Sequence, residues 1–489
     1  MRYCGIVENF HNAAICFIEE DGTISFASES ERFSKKKNDA LLHPYFHGLI
    51  KDDDHISFYE DMELRDKHLD PILKSLPQYS KEFEEKYLIR LDDFKKKRPY
   101  HYEKFYTHHE SHGAGAFYTR PWDTSTDTVI MTIDGFGEYQ SATIMDSNFN
   151  LLYEKKYPDS IGFLYAMATK ALGLKALQEE YIVMGMAAYG QPSFLEEIEN
   201  IANDCADTPI NAFMGSIILD KFKEYAETAK YDFACSIQAL AEKEIMKLAV
   251  IARGYGSKLC YSGGVAQNIV ANSKIRPLFQ DMWIAINPTD GGSSIGSAAR
   301  TWGLANNKNK IEWKNPYLGY EMGEINATEV VDHLLEYSYC GIASGRAEFG
   351  PRALGNRSLI ADPRRDIKDT VNQVKRRQKF RPFAPAILEE YANEYFEGPM
   401  NEYMQYSCDA KHDYKSVTHV DGTARVQIVR KDNPSILRKI LEEFYEKTSV
   451  PMLLNTSLNI RGRPIVNDRY DCFLFEKLNK TRVFYNDID

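Results

Sequence analysis

Two histidines four positions apart, His108 and His112 in HHESHGAGAFY (108–118), have a spacing that could do chemistry. Positions four apart on a helix share a face, so both imidazoles could grip one metal ion. Two polar residues on a wet helix would show the same spacing. Asp134 ends the apolar run TVIMTID and is followed by Gly135 and Gly137. An aspartate at the tip of a buried strand, with glycines that let a ligand approach the backbone, suits metal or phosphate chemistry. A plain hairpin would also use Asp-Gly. NPTDGGSSIGSAAR (287–300) repeats the logic, with Asp290 ahead of glycines and a small-residue helix. In KLCYSGGVAQNIVANSKI (258–275), Gly263 and Gly264 fall between a strand and a helix, where backbone amides could face a nucleotide.

A different chemistry follows residue 340. GRAEFGPRALGNRSLIADPRRDIKDTVNQVKRRQKFRPFAPAIL is dense in arginine, and within 361–381 eight Lys or Arg stand against three Asp. Such a block can be a solvated helix face. Interleaved with Pro, Gly and Phe, it suits a phosphate-binding surface better. FKKKRPYHYEKFY (94–106) mixes Lys95, Lys96, Lys97, Arg98 and Lys104 with Phe94, Tyr100, Tyr102, Phe105 and Tyr106, as a surface stacking on nucleobases would. A basic loop with its aromatics partly in the core is the alternative.

These residues need scaffolds. RYCGIVE, AAICFIEEDG and TISFASE are short apolar runs separated by a polar loop at Asn9–Asn12 and a turn at Asp21–Gly22, which predicts three strands. A hairpin plus a third strand opens an RNase H-like, actin-like half, and also an ordinary antiparallel meander. Residues 60–107 predict helices with a basic loop, 128–146 a strand, a Gly-rich turn and a second strand, and 160–250 mostly helix. NNKNKIEWKNP (306–316) reads as a linker.

The chain has 489 residues, enough for two or three domains. A net charge of −11 argues against coating nucleic acid non-specifically, though not against a local basic groove. The eight cysteines are scattered without a CxxC, so a thiolate metal site or disulfide scaffold is not expected, and a reducing cytoplasm is the expected home. No window approaches a membrane span, so no membrane partner is expected.

Together FHNAA, ESERFSKKK, HHESHGAGAFY, IDGFGE, YIVMGMAAYG, SGGVAQN, DGGSSIGSAA, GRAEFGPRALGNRS, FRPFAPAIL, HVDGTARVQ and LLNTSLN resemble the O-carbamoyltransferase family that includes nodulation protein U and the cephamycin and tobramycin carbamoyltransferases. The resemblance is nearly collinear over the whole chain. It implies an α/β protein, with an actin-like (RNase H-like, ASKHA) domain over 1–315 and a YrdC-like α/β domain over 325–489. It implies a metal site at His108, His112, Asp134 and Asp290, with Fe(II) expected and Zn(II) or Mn(II) open. His109 would act as base or orient a ligand, and His11 would line the site. Gly263, Gly264 and Asn268 would seat adenosine. In the second domain, Lys375 and Arg377 would work with Ser457 and Asn459. The pool for a phosphate clamp is Arg346, Arg352, Arg357, Lys375, Arg377, Arg381 and Arg425. ATP, with Mg(II), and carbamoyl phosphate are the implied co-substrates of a carbamoyl-adenylate, whose carbamoyl group passes to a hydroxyl.

The acceptor stays open between a small hydroxylated metabolite and a hydroxymethylated nucleobase, nucleotide or DNA. A homodimer is one option for the assembly. Ile182 stands where the resemblance leads one to expect lysine. A different class of function, an actin-like nucleotide-dependent binding module without transfer, is disfavoured by the intact Lys/Arg and Ser-x-Asn set.

Overall fold

The computed structural model describes residues 1–74, 94, 96, 98, 100–207 and 216–486. The chain divides into two compact units, Met1–Ala27 with Ala40–Trp313, and Ser28–Asp39 with Lys314–Asp489.

In the first unit, β1 (Arg2–Val7), β2 (Ala14–Glu19), β3 (Ile24–Glu29), β4 (Asp54–Phe58) and β5 (Lys104–Phe105) form one sheet in the order β3-β2-β1-β4-β5. β1 pairs antiparallel with β2 and parallel with β4. β6 (Thr128–Gly137), β7 (Gln140–Met145), β8 (Leu151–Lys156), β9 (Lys258–Ser262) and β10 (Asp281–Ile284) form a second sheet in the order β10-β9-β6-β7-β8. There β6 pairs antiparallel with β7 and parallel with β9. Each sheet therefore sets its first strand at the centre, a hairpin partner on one flank and two later parallel strands on the other. This duplicated order is that of an actin-like fold. Continuous apolar runs such as IMTI in β6 are buried on both faces, as parallel-rich sheets require.

Small residues bring the layers close. The helix Ser293–Asn306 packs on β1 and on the helix His108–Thr119. A Cβ on Gly5 of β1 would strike the Ser294 carbonyl, and one on Gly296 would strike the Ser111 carbonyl. Between 160 and 253 the expected helices are present, as Ile161–Ala171, Glu180–Ala187, Leu195–Asp207 and Ser216–Arg253, the last kinked at Ala229. Among the described residues no helix is long and apolar enough to cross a membrane.

In the second unit, β11 (Tyr317–Met322) pairs with β13 (Gly345–Glu348). β12 (Tyr339–Ala343), β14 (Arg357–Ala361), β15 (Ala384–Leu388), β19 (Gln427–Val429), β20 (Met452–Ser457) and β21 (Val483–Tyr485) form a mixed sheet in the order β19-β15-β20-β14-β12-β21. Short strands β16 (Phe396–Glu397), β17 (Cys408–Ala410) and β18 (Thr423–Ala424) form a third sheet. The helices Ala327–Tyr337 and Ile436–Thr448 bury Val330, Val331, Leu334, Ile440, Leu441 and Phe444 in this unit's core. The segment Ser28–Asp39 counts with this unit although it lies far away in sequence, whereas the reading by sequence ran 1–315 as one piece.

Candidate functional site

The helix His108–Thr119 starts at a doubly secured point. Thr107 caps it by accepting from the Glu110 N–H at 3.2 Å, and the Glu138 carboxylate accepts from the His108 N–H at 2.8 Å and from the Asp61 N–H at 2.9 Å. Asp134 comes from β6, and Asp290 opens the turn before the helix Ser293–Asn306. The four side chains converge. His112 Nε2 lies 3.1 Å from His108 Nε2, 3.0 Å from Asp134 Oδ2 and 3.4 Å from Asp290 Oδ1. His108 Nε2 lies 3.7 Å from Asp134 and 3.8 Å from Asp290, and the four donor atoms all fall within 4.8 Å of one another.

This set fits a divalent ion. Nitrogen and oxygen ligands about 2.0–2.2 Å from an ion stand roughly 3–3.5 Å apart when adjacent in its shell, which is the scale observed. Two imidazole nitrogens aimed at each other and at two carboxylates make a mixed N/O set suited to a borderline metal. His112 Nδ1 is buried, and among the described residues it has no hydrogen-bond partner of the kind that commonly steadies a metal-bound histidine. Burial pulls the His108 imidazole down, but Asp134 and Asp290 outweigh it and raise the group to about 10. Asp134 is held well below the usual carboxylate range because the two histidines overcome its burial.

His109 is a correction. One position along the helix, its ring points into the sheet, with Nδ1 2.6 Å from Thr132 Oγ1 and Nε2 3.2 Å from the Gln140 carbonyl. A carbonyl only accepts, so Nε2 carries the hydrogen and Nδ1 accepts from Thr132. Burial, then the neighbouring His108 and His112, push its pKa down to about 3. Both nitrogens are engaged, and the ring is a buried brace, not an available base. His11 is placed differently. On the loop after β1, its Nδ1 lies 2.7 Å from Asn12 Oδ1 and 3.4 Å from Asp290 Oδ2, and its side chain is partly exposed.

The glycine pair has an unexpected use. Gly263 takes a φ of 93°, and a Cβ there would strike the Ile133 carbonyl. The Gly264 N–H donates to Asp134 Oδ2 at 3.0 Å, so it steadies the carboxylate. Asn268 caps the helix Ile269–Ile275 by accepting from Ala271 N–H and exchanges hydrogen bonds with Gln238. Ile182 is buried, so an apolar contact replaces the charge expected there.

In the second unit the structure brings the predicted pairs together. Lys375 Nζ donates to Ser457 Oγ at 3.2 Å, to Asn459 Oδ1 at 2.9 Å and to the Asn459 carbonyl at 3.1 Å, and also meets the Ser457 carbonyl. Ser457 Oγ donates to Asn459 Oδ1 at 2.7 Å. Burial, reinforced by Arg377 and Arg381, holds the Lys375 ammonium well below the ordinary lysine range. Burial and then Arg352, Arg377 and Arg381 hold Arg425 down in the same way. The charges that act on these two cations, Lys375 buried and Arg425 half-buried, are all positive, an arrangement that favours an anion. The Arg377 guanidinium lies 4.0 Å from the Phe383 ring centroid and donates to Asn372 Oδ1 at 2.5 Å.

Two members of the expected clamp are otherwise occupied. Arg357 is fully buried and donates to the carbonyls of Asn467, Ser344, Gly345, Asn356 and Tyr320, which makes it a strut between loops. Arg346 donates to the carbonyls of Gly319 and Leu318, tying β13 to β11.

Of the two readings of the basic aromatic stretch, the described residues follow the one that puts aromatics partly in the core. Phe94, Tyr102 and Tyr106 are buried, with Phe94 5.0 Å from Phe58 and 5.3 Å from Tyr102 between ring centroids. Arg98 is bound to Glu8 at 2.6 Å. Rings packed this way offer no stacking face to a base. Lys95 and Lys97 lie outside the described residues.

Comparison with known proteins agrees with this anatomy. The family model described as carbamoyltransferase N-terminus matches residues 2–299, and that described as carbamoyltransferase C-terminus matches 331–485. The chain belongs to the carbamoyltransferase family and is a carbamoyltransferase enzyme. It is 29% identical to nodulation protein NolNO of Sinorhizobium fredii, over 94% of this chain and 76% of that protein. It is 32% identical to nodulation protein NolO of Bradyrhizobium diazoefficiens, over 74% of each. A solved HypF from T. kodakarensis aligns more loosely, with a TM-score of 0.33 and 13% identity over 63% of this chain and 48% of that one, and the fold assignment rests on strand order instead.

Proposed function

We propose that this carbamoyltransferase moves a carbamoyl group from carbamoyl phosphate to a hydroxyl of a small acceptor in two ATP-dependent stages. An alcohol is a poor nucleophile towards carbamoyl phosphate, and a mixed anhydride with AMP is a better donor because AMP leaves readily. In the first stage carbamoyl phosphate loses inorganic phosphate to water, the carbamate oxygen attacks the α-phosphorus of ATP, and pyrophosphate departs. The second unit, read as a YrdC-like fold, hosts this stage. Lys375 and Arg377, with Arg352, Arg381 and Arg425, neutralise the phosphates, with Mg(II) accompanying ATP, and Ser457 and Asn459 orient the Lys375 ammonium. The observation that carries the reading is this set of cations around buried Lys375, whose mutual repulsion a polyanion would relieve.

The second stage belongs to the first unit. A divalent ion held by His108, His112, Asp134 and Asp290, Fe(II) by family resemblance, would supply Lewis acidity towards a carbonyl or phosphate oxygen. His11 takes the acceptor's proton. Its Nδ1 is turned to Asn12 and Asp290, which leaves Nε2 to accept. Gly264 holds Asp134 in place, and His109 holds the helix against the sheet. The acceptor is read as a small hydroxylated molecule, because Phe94, Tyr102 and Tyr106, three of the rings that favoured a nucleobase, lie in the core.

The test is to incubate the protein with ATP, carbamoyl phosphate and a panel of polyhydroxylated metabolites, and to seek a carbamoyl mass increment. The reading expects such a product from wild type and none from His11→Ala. An undiminished product from His11→Ala would remove His11 from the chemistry.

A further inference from the structure

Arg32 sits in ESERFSKKK, in the segment Ser28–Asp39 that counts with the second unit. It is 3% exposed, although a guanidinium is among the groups least often buried. Its Nη2 lies 3.3 Å from the Gly350 carbonyl and 3.5 Å from the Glu348 carbonyl. Its Nη1 is buried, and among the described residues it has no hydrogen-bond partner and no carboxylate within salt-bridge distance. A charge buried at this cost needs a reason beyond two long hydrogen bonds.

The carbonyls it touches supply one. They begin the loop 349–356, which carries Arg352. Glu348 closes that loop on itself, because its Oε1 accepts from the N–H groups of Leu354 at 2.8 Å, Asn356 at 2.7 Å and Arg357 at 3.1 Å. Gly350 has a φ of 129°, a conformation that side chains rarely adopt, and it leads through Pro351 into Arg352. Arg352 is one of the cations whose charge acts on half-buried Arg425. The same segment grips the unit a second time. Lys35 Nζ lies 2.5 Å from Asp471 Oδ2 and 3.3 Å from Asp468 Oδ2, and Asp471 in turn accepts from the Asn467 N–H. The Asn467 carbonyl is the one that receives Arg357 Nε. Thus a segment from the first thirty-nine residues holds the loop of Arg352 through Arg32 and the base of Arg357 through Lys35.

We infer that Arg32 is a positioning residue of the anion site: it fixes the Gly350 carbonyl and so presents Arg352 to the phosphates. The inference rests on the reading of the second unit as the site of adenylate formation. The anchor is supplied far upstream in sequence, so the phosphate site of the rear unit is incomplete without the front of the chain.

The experiment uses the full chain with Arg32→Met, Arg32→Lys, Arg352→Met and the double variant Arg32→Met/Arg352→Met. ATP affinity is read by calorimetry, taking the component that Arg352→Met weakens, and carbamoyl-phosphate-dependent pyrophosphate release is read alongside. Arg32→Met should weaken ATP about as much as Arg352→Met does, by at least about fivefold, with the double variant no worse than either, since two residues acting through one contact do not add. Arg32→Lys, which keeps the charge and reaches one carbonyl, should recover part of the loss. Wild-type ATP affinity in folded Arg32→Met, or penalties that multiply in the double variant, would overturn the inference. If Arg32→Met fails to fold, Arg32→Lys and Arg32→Lys/Arg352→Met replace it, and wild-type affinity in the first or penalties that multiply in the second overturn the inference equally. If the affinities behave as expected and wild type releases no pyrophosphate, the positioning role stands and the adenylate reading fails.

Discussion

His108 and Lys375 show how burial and neighbouring charge set opposite proton affinities in one protein. Facing carboxylates raise His108 to about 10, so at neutral pH its imidazole holds a proton that an incoming ion must displace. Proton and metal compete for the same nitrogen, so apparent metal affinity should rise as pH rises, by about tenfold per pH unit for the one proton, and level off near the raised pKa. Competition with a chromophoric chelator across the neutral range would measure this slope, and a flat profile would contradict a proton on His108 that the ion displaces. Lys375 has the reverse character. Like charges and burial disfavour its ammonium, so a bound polyanion should draw a proton onto it. Calorimetry of ATP binding in two buffers of different ionisation enthalpy should reveal net proton uptake, diminished in Lys375→Met. Equal heats in both buffers would mean that the lysine is already charged.

At the scale of elements, the metal cluster depends on how closely two helices can approach. Gly296 on one faces the Ser111 carbonyl and the Gly115 N–H on the other, and Asp290 and His112 sit one or two turns from that crossing. Gly296→Ala should therefore push the helices apart, costing about 1–3 kcal/mol. The expected result is a melting temperature several degrees lower together with reduced bound metal, measured by scanning calorimetry and elemental analysis. Full metal content at an unchanged melting point would contradict the close-crossing account. This scale also explains what could be read from sequence. β1 to β3 were legible because their apolar runs are short and punctuated by Asn and Gly, and the cluster was legible because its histidines have helical spacing and its aspartates stand directly before glycines. His109 and Arg357 were misread because residue type does not say which carbonyl a side chain meets after folding. The aromatics near residue 100 leave two readings open for a related reason, since alternation with lysine looks alike whether the rings face water or Phe58.

For the whole molecule, sequence order misleads about where parts belong. The segment 28–39 belongs with the second unit, whereas a contiguous reading of the sequence assigns it to its neighbours in the first. Glu138 was missed in the same way, since its role is to accept the His108 and Asp61 N–H groups across the fold. The central claim is that anhydride formation and carbamoyl transfer are separate reactions performed by separate residue sets. It is tested most directly by carbamoyl-phosphate-dependent pyrophosphate release from ATP in wild type, Asp134→Asn, His112→Ala and Lys375→Met. The account predicts release by wild type and by both metal-cluster variants at comparable rates, and a loss of at least about a hundredfold in Lys375→Met, the scale of removing a preorganised charge. Loss of release in the metal-cluster variants, or normal release in Lys375→Met, would contradict it.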